Sequence, residues 1–91
     1  MGRPRKFRRI NFLPRADYFK PRGIPMRALG EERLEKDELE AVRLCDLEEM
    51  GMVEAAEEMQ LSKSTIHRLL QSAHKKIAGA IIHGRAIRII D

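Results

Sequence analysis

Residues 52–82 read MVEAAEEMQLSKSTIHRLLQSAHKKIAGAII, and this stretch decides the fold. It divides into a short helix, a tight turn and a longer helix. Ser62 is a preferred N-cap residue, because its hydroxyl can accept from the otherwise unpaired N–H groups of a first helical turn. At about 100° per residue from there, Ile66, Leu69, Leu70, Ala73, Ile77 and Ala80 fall within one apolar arc of about 100°. Ser64, Arg68, Gln71 and Lys75 fall on the opposite side, at i, i+4, i+7 and i+11. No Pro or Gly interrupts residues 63–78, so the helix runs for about four turns or more. One side is built to be buried and the other is built of hydrogen-bond donors. A helix laid into a duplex major groove needs this division, since bases there offer acceptors to Arg, Lys and Gln, and phosphates flank them.

The preceding helix, from Val53 to Met59, sets Ala55, Ala56 and Met59 on one side and Glu54, Glu57 and Glu58 on the other. Small residues at 55 and 56 let two helix backbones approach closely, and Leu61 is placed to plug the corner. The turn Gln60-Leu61-Ser62 has the length of a helix-turn-helix connection. Such a turn often carries Gly where this chain has Gln60, because the backbone there can require a positive φ. A residue with a side chain in that conformation costs on the order of 1 kcal/mol.

Ninety-one residues bound the chain to one domain with one modest core. The formal net charge is +4, but its distribution says more. Residues 1–27 hold nine Lys/Arg against one acid, residues 28–61 three against twelve, and residues 62–91 six against one. A basic arm, an acidic scaffold and a basic element follow one another, which points to a polyanionic partner. The single Cys45 can form neither an intrachain disulfide nor a zinc site and reads as a small buried apolar residue in a reducing compartment. No signal peptide and no run of about 20 apolar residues is visible, so a cytoplasmic protein without a membrane partner is expected. No phosphate loop, paired catalytic carboxylates or nucleophile motif appears, so the chain is read as no enzyme and no cofactor is implied.

The expected fold is mainly α. A helix-turn-helix core of three or more helices carries an extended basic N-terminal arm and short terminal strands. Residues 1–30 form the arm and a Pro/Gly-rich loop, residues 31–83 the helical domain, and residues 84–91 a C-terminal extended segment. In the arm, Arg3, Arg5, Lys6, Arg8 and Arg9 are either a solvated tail or a minor-groove and phosphate contact; the two are compatible, since an arm can order on binding. Gly2-Arg3-Pro4 resembles the core of an AT-hook. Ile10–Leu13 alternates like a short strand. Tyr18 and Phe19 read as anchors packing the loop on the helical core, and Arg15, Lys20, Arg22 and Arg27 lie in reach of phosphates. Asp37 and Glu40 have capping-box spacing, so a helix is expected from Glu38 to about Met50, with Gly51 as its left-handed stop. Its apolar residues Leu39, Val42, Leu44, Cys45 and Leu47 scatter around the wheel, so it is covered on two sides or by a partner subunit. Ala86–Ile90 reads as a second strand, paired with the Ile10–Leu13 region within one chain or across a dimer. His67 and His74 stand two turns apart, too far for joint metal ligation, and no metal site is expected.

The run VEAAEEMQLSKSTIHRLLQSAHKKI resembles region four of sigma factors and related response-regulator domains. Their pattern E-x-A-x-x-x-x-[IL]-S-x-x-T-[IV] is matched by Glu54, Ala56, Leu61, Ser62, Thr65 and Ile66. The whole chain is similar to a family of small uncharacterised prokaryotic proteins, a domain of unknown function numbered 134, predicted to bind DNA. The likeness lies in GRPRKFRRINFLP, YFKPRGIP, LEKDELEAVRLCDLE and GRAIRI. The resemblance implies a transcription-regulator-like module whose reading helix presents Ser62, Lys63, Ser64, His67, Arg68 and Gln71 to DNA. The helical wheel adds Lys75.

Two functions from different classes follow. The first is sequence-specific binding of double-stranded DNA, with a homodimer on half-sites about 34 Å apart as one arrangement. The second is a protein-interaction module that docks on RNA polymerase or another regulator through the acidic helix around Glu38–Glu49. RNA binding ranks below both, because it favours aromatic stacking platforms and the long helix has none.

Overall fold

In the computed structural model, which describes residues 9, 10 and 12–90, the long helix begins where its cap requires. The Ser62 hydroxyl accepts the Thr65 N–H at 3.2 Å, and the helix runs over Lys63–His83. Gly84 ends it with φ 64°, a left-handed conformation in which a Cβ would be strained. The short helix before it spans Met52–Met59. The turn between them passes through Gln60 at φ 58° and ψ 46°, the left-handed conformation the turn demands in spite of a side chain. Ala55, Ala56, Met59, Ile66 and Leu70 are buried against one another, and Leu61 packs on them from the corner.

The remaining core comes from upstream, where the structure corrects three expectations. The first α-helix spans Lys36–Val42 rather than starting at Glu38, and Glu35 is its N-cap rather than Asp37; the Glu38 carboxylate reaches back to accept the Glu35 N–H at 2.9 Å. The helix then widens into a π-helical segment, Arg43–Leu47, marked by the Glu48 N–H reaching the Arg43 carbonyl at 2.9 Å. Extra residues per turn rotate the side chains out of a 3.6-residue period, which is why the apolar positions scatter on an ideal wheel. The left-handed residue that follows is Glu49, at φ 62°, and not Gly51, which is extended and begins the next helix.

We label these helices α1 (Lys36–Val42), α2 (Met52–Met59) and α3 (Lys63–His83). Ala41 and Leu44 are buried with α2 and α3, while α1 also packs on a small sheet, so it is covered on two sides within one chain.

That sheet has three strands, β1 (Tyr18–Phe19), β2 (Glu31–Glu35) and β3 (Ala86–Ile90), in the order β1-β3-β2. The C-terminal strand forms as expected, but its neighbours differ. It runs parallel to β2, with Leu34 opposite Ile89, and antiparallel to β1, with Tyr18 opposite Arg88. Among the described residues, Ile10, Phe12 and Leu13 belong to no strand. Tyr18 and Phe19 are therefore sheet residues and not anchors on the helical core, and Phe19 remains half-exposed. Leu34, Ala86 and Ile89 close the sheet's side of the interior. The chain is mainly α with a short-stranded sheet, and the sheet fixes both ends of the 31–83 segment.

Candidate nucleic-acid interface

The α3 wheel carries over to the folded chain. Ser62, Lys63, Ser64, His67, Arg68, Gln71 and Lys75 are all exposed, while Ile66, Leu70, Ala73 and Ala80 are buried behind them. A helix of 21 residues is about 31 Å long, enough to present its first three turns to a groove and anchor its last three in protein. Ser62 is partly committed elsewhere. Its hydroxyl caps the helix and lies 2.9 Å from the Thr65 hydroxyl and 3.1 Å from that of Ser64. The cap leaves other first-turn N–H groups of α3 directed outward beside Lys63 and Ser64, a favourable place for a phosphate.

The cations downstream of Ser62 fall into two classes. Lys76, Arg85 and Arg88 are bound into the fold by Glu38, Glu32 and Glu31, at 2.8, 2.8 and 2.9 Å. Among the described residues, Lys63, Arg68 and Lys75 have no carboxylate partner. Arg68 and Lys75 belong to the α3 face read from the wheel, and Lys63 to the set that the family resemblance implied. The sequence could not make this distinction, because each tying carboxylate lies 38 to 57 residues from its partner.

The arm's root is also located. The Arg9 N–H donates to the Met59 carbonyl at 3.2 Å, at the end of α2 and three residues before the Ser62 cap. Arg9 is exposed. Arg3, Arg5, Lys6 and Arg8 lie outside the described residues. The chain thus enters the domain beside the corner between α2 and α3. Phe12 then lies against the Arg43 guanidinium, 5.1 Å from ring centroid to Cζ. Arg43 itself holds Glu40 through two bonds, at 2.7 and 3.0 Å, and these hydrogen bonds push its pKa up despite the opposing effect of burial.

Three contacts were not anticipated from sequence. The Glu38 carboxylate accepts from Lys76 Nζ at 2.8 Å and from the Ser72 hydroxyl, tying α1 to the middle of α3. His74 meets Asp46 at 2.5 Å, joining α3 to the π-helical segment. On the sheet, Glu31 accepts from Arg88 and from the Tyr18 hydroxyl, and the Arg88 guanidinium stacks 4.6 Å from the Tyr18 ring centroid. Burial and the Glu31 hydrogen bond raise the Tyr18 pKa, while the Arg88 and Tyr18 hydrogen bonds lower that of Glu31. Cys45 is half-buried against the core, and burial raises its thiol pKa. No helix among the described residues is long and apolar enough to cross a membrane.

A family model described as "Protein of unknown function DUF134" matches residues 1–91. The chain is similar to proteins named only "UPF0251 protein". It is 48% identical over 89 residues to one from Clostridium beijerinckii, covering 98% of this chain and 60% of that protein. It is 51% identical over 89 residues to one from Pelotomaculum thermopropionicum, covering 98% and 67%. It is 46% identical over 89 residues to one from Dehalococcoides mccartyi, covering 98% and 76%. The chain spans about three-fifths of the length of several of the relatives it matches. No solved structure matches it.

Proposed function

The chain belongs to the DUF134 family, whose description names no function, and from that premise we propose on physical grounds that it binds double-stranded DNA sequence-specifically through α2 and α3 and regulates transcription. The observation that carries this reading is the sorting of cations: Lys63, Arg68 and Lys75 are unpaired and exposed on α3, while Lys76, Arg85 and Arg88 are tied down. An unpaired guanidinium on an exposed helix face suits the two acceptors of guanine in the major groove, and unpaired ammonium groups suit phosphates. The root of the basic arm beside the same corner supports a contact with the flanking backbone. No catalytic step belongs to this reading.

Selection on random duplexes, followed by titration of variants, tests it. An enriched motif is expected, and Arg68→Ala then costs about 1–3 kcal/mol and broadens one base position. A loss equal on all sequences would move Arg68 to the phosphate contacts. Removing residues 2–9 weakens binding broadly and flattens the salt dependence. No enriched motif and no duplex binding at physiological salt would refute the proposal.

A second reading rests on a different surface. Leu47 is 73% exposed and Val53 57%, and the exposed Glu48, Glu49, Glu54 and Glu57 lie next to them in sequence. Exposed apolar residues interspersed with acids suit a basic protein partner such as a polymerase segment. Protein capture sensitive to charge reversal there, with no duplex binding, would favour it.

A further inference from the structure

Beside the C-terminal half of α3 lies a groove of about 590 Å³. Its apolar floor is Ala78, Gly79 and Ile82, and its polar lining includes Lys75, Lys76, Arg85 and the Glu32 carboxylate that pairs with Arg85. We propose that this groove binds a small amphipathic anion, an apolar body carrying one carboxylate, sulfonate or phosphate group, and that the bound anion competes with DNA for Lys75. The regulatory half of this proposal rests on the DNA-binding reading; the binding half does not.

Size, apolarity and charge point to the same occupant. The volume lies within the range of small-molecule sites, which combine an apolar lining with a few placed polar groups. Ile82 is 76% exposed, so the free protein leaves an isoleucine in water that a ligand body would cover. Gly79 interrupts a long helix, where glycine is less favourable than alanine. A Cβ there would stand 3.3 Å from Glu32 Oε2, so the glycine keeps the floor low and gives Glu32 room to hold Arg85.

The three rim cations carry the charge argument. Lys76 and Arg85 already have carboxylate partners, but Lys75 has none among the described residues. Arg85 binds Glu32 through Nη1, and a guanidinium has further donors to offer. An anion entering the groove meets one uncompensated positive charge beside an apolar floor.

Lys75 also links the groove to the outward face of α3. It follows Arg68 and Gln71 on the same stripe, so its ammonium can serve a phosphate or the bound anion, but not both at full strength.

The test uses two fluorescent probes that differ by one charged group: 8-anilinonaphthalene-1-sulfonate, and N-phenyl-1-naphthylamine, which lacks the sulfonate. Isotope-labelled protein is titrated with each, without DNA. The sulfonate is expected to saturate at one site and to shift amides of residues 72–85 and of Glu32. The neutral probe is expected to bind about 2- to 5-fold more weakly, the value of one exposed charge pair. Lys75→Ala should weaken the sulfonate by the same factor and leave the neutral probe unchanged, while Ile82→Ser should weaken both. Equal binding of the two probes, no effect of Lys75→Ala, or shifts centred on the neighbouring groove of Phe19, Ile81 and Ile87 would overturn the proposal. A final arm adds the sulfonate to a protein–duplex titration. A raised apparent Kd supports competition, and an unchanged one removes the regulatory half. If no duplex binds at all, the DNA reading fails while the probe titrations still decide the groove.

Discussion

Replacing Glu38 by Gln tests how α3 is held. In the wild type, Glu38 Oε1 accepts from Lys76 Nζ at 2.8 Å and from the Glu35 N–H at 2.9 Å, and Oε2 accepts from the Ser72 hydroxyl. The Glu38 side chain is 7% exposed and that of Lys76 28%. Glutamine preserves the shape and one acceptor but removes the charge and leaves the Lys76 ammonium facing a neutral amide. Hydrogen bonds to charged groups contribute about 1.5–3 kcal/mol, and the partial exposure of Lys76 argues for the lower half of that range. We expect a loss of about 2 kcal/mol at pH 7, which in a domain of this size lowers Tm by about 8–16 °C.

The pH dependence separates lost charge from lost shape. Burial raises the Glu38 pKa, but the hydrogen bonds from Lys76, Ser72 and the Glu35 backbone outweigh it and hold the folded value below the ordinary 4.5. A carboxylate with a depressed folded pKa contributes stability that is complete above its unfolded pKa and is lost as pH falls through the folded one. The gap between wild type and Glu38→Gln should therefore be full at neutral pH and shrink as pH falls below about 4.5 and through the lowered folded value, where a protonated glutamate resembles glutamine. Urea unfolding across that range measures it. A gap under about 0.5 kcal/mol at pH 7, or one of equal size at pH 3 and pH 7, would show that the tether does not act through charge. The outward face of α3 lies beyond this anchor, so duplex affinity well below Tm should change by less than about twofold.

Ser62→Ala removes the cap of α3 and should cost about 1 kcal/mol, seen as a Tm drop of about 4–8 °C; an unchanged melt would mean the cap contributes nothing. Gln60→Gly relieves a side chain held at φ 58°, partly offset by the greater freedom of the unfolded glycine, and should stabilise by about 0.5 kcal/mol in urea unfolding. A loss of stability would show that the Gln60 side chain has a contact worth more than the strain. Tyr18 is the one tyrosine of a chain without tryptophan, so ultraviolet titration reads it alone. Burial and the bond to Glu31 predict a midpoint above 10.0, and a midpoint at or below that value would remove the Tyr18–Glu31–Arg88 cluster from the solution structure.

What the sequence made legible tracks how local the determining forces are. The α3 wheel, its Ser62 cap, the small residues of α2 and the left-handed Gln60 all depend on neighbours within about one helical turn, and each is present in the fold. β2 was invisible for the opposite reason. Four of the five residues in EERLE are charged, and Leu34 alone is buried, so the segment resembles the polar approach to a helix. What makes it a strand is β3, more than fifty residues away, whose Arg88 meets Glu31 while the adjacent Arg85 meets Glu32. The same distance explains the misplaced pairing of Ile10–Leu13: alternation identifies a candidate strand but not a partner, and both sides of β3 were already taken by Tyr18–Phe19 and Glu31–Glu35.

Charge follows this division as well. Counting residues gave an acidic middle and a basic end, as though the two were separate. In the fold the middle neutralises half of the basic end, because Glu38, Glu32 and Glu31 take Lys76, Arg85 and Arg88. These pairs join an upstream element to α3, to β3 or to Arg85 between them, so three carboxylates of the acidic scaffold clamp the basic segment while Glu48, Glu49, Glu54 and Glu57 stay exposed. The cations it leaves over, Lys63, Arg68 and Lys75, owe their freedom to the fold and not to composition. If the clamp is real, neutralising Glu32 or Glu38 should release a cation beside the α3 groove and tighten 8-anilinonaphthalene-1-sulfonate binding there by about 2- to 5-fold, as for one exposed charge. If affinity instead stays constant when either carboxylate is removed, the pairing seen in the fold does not govern which charges are available.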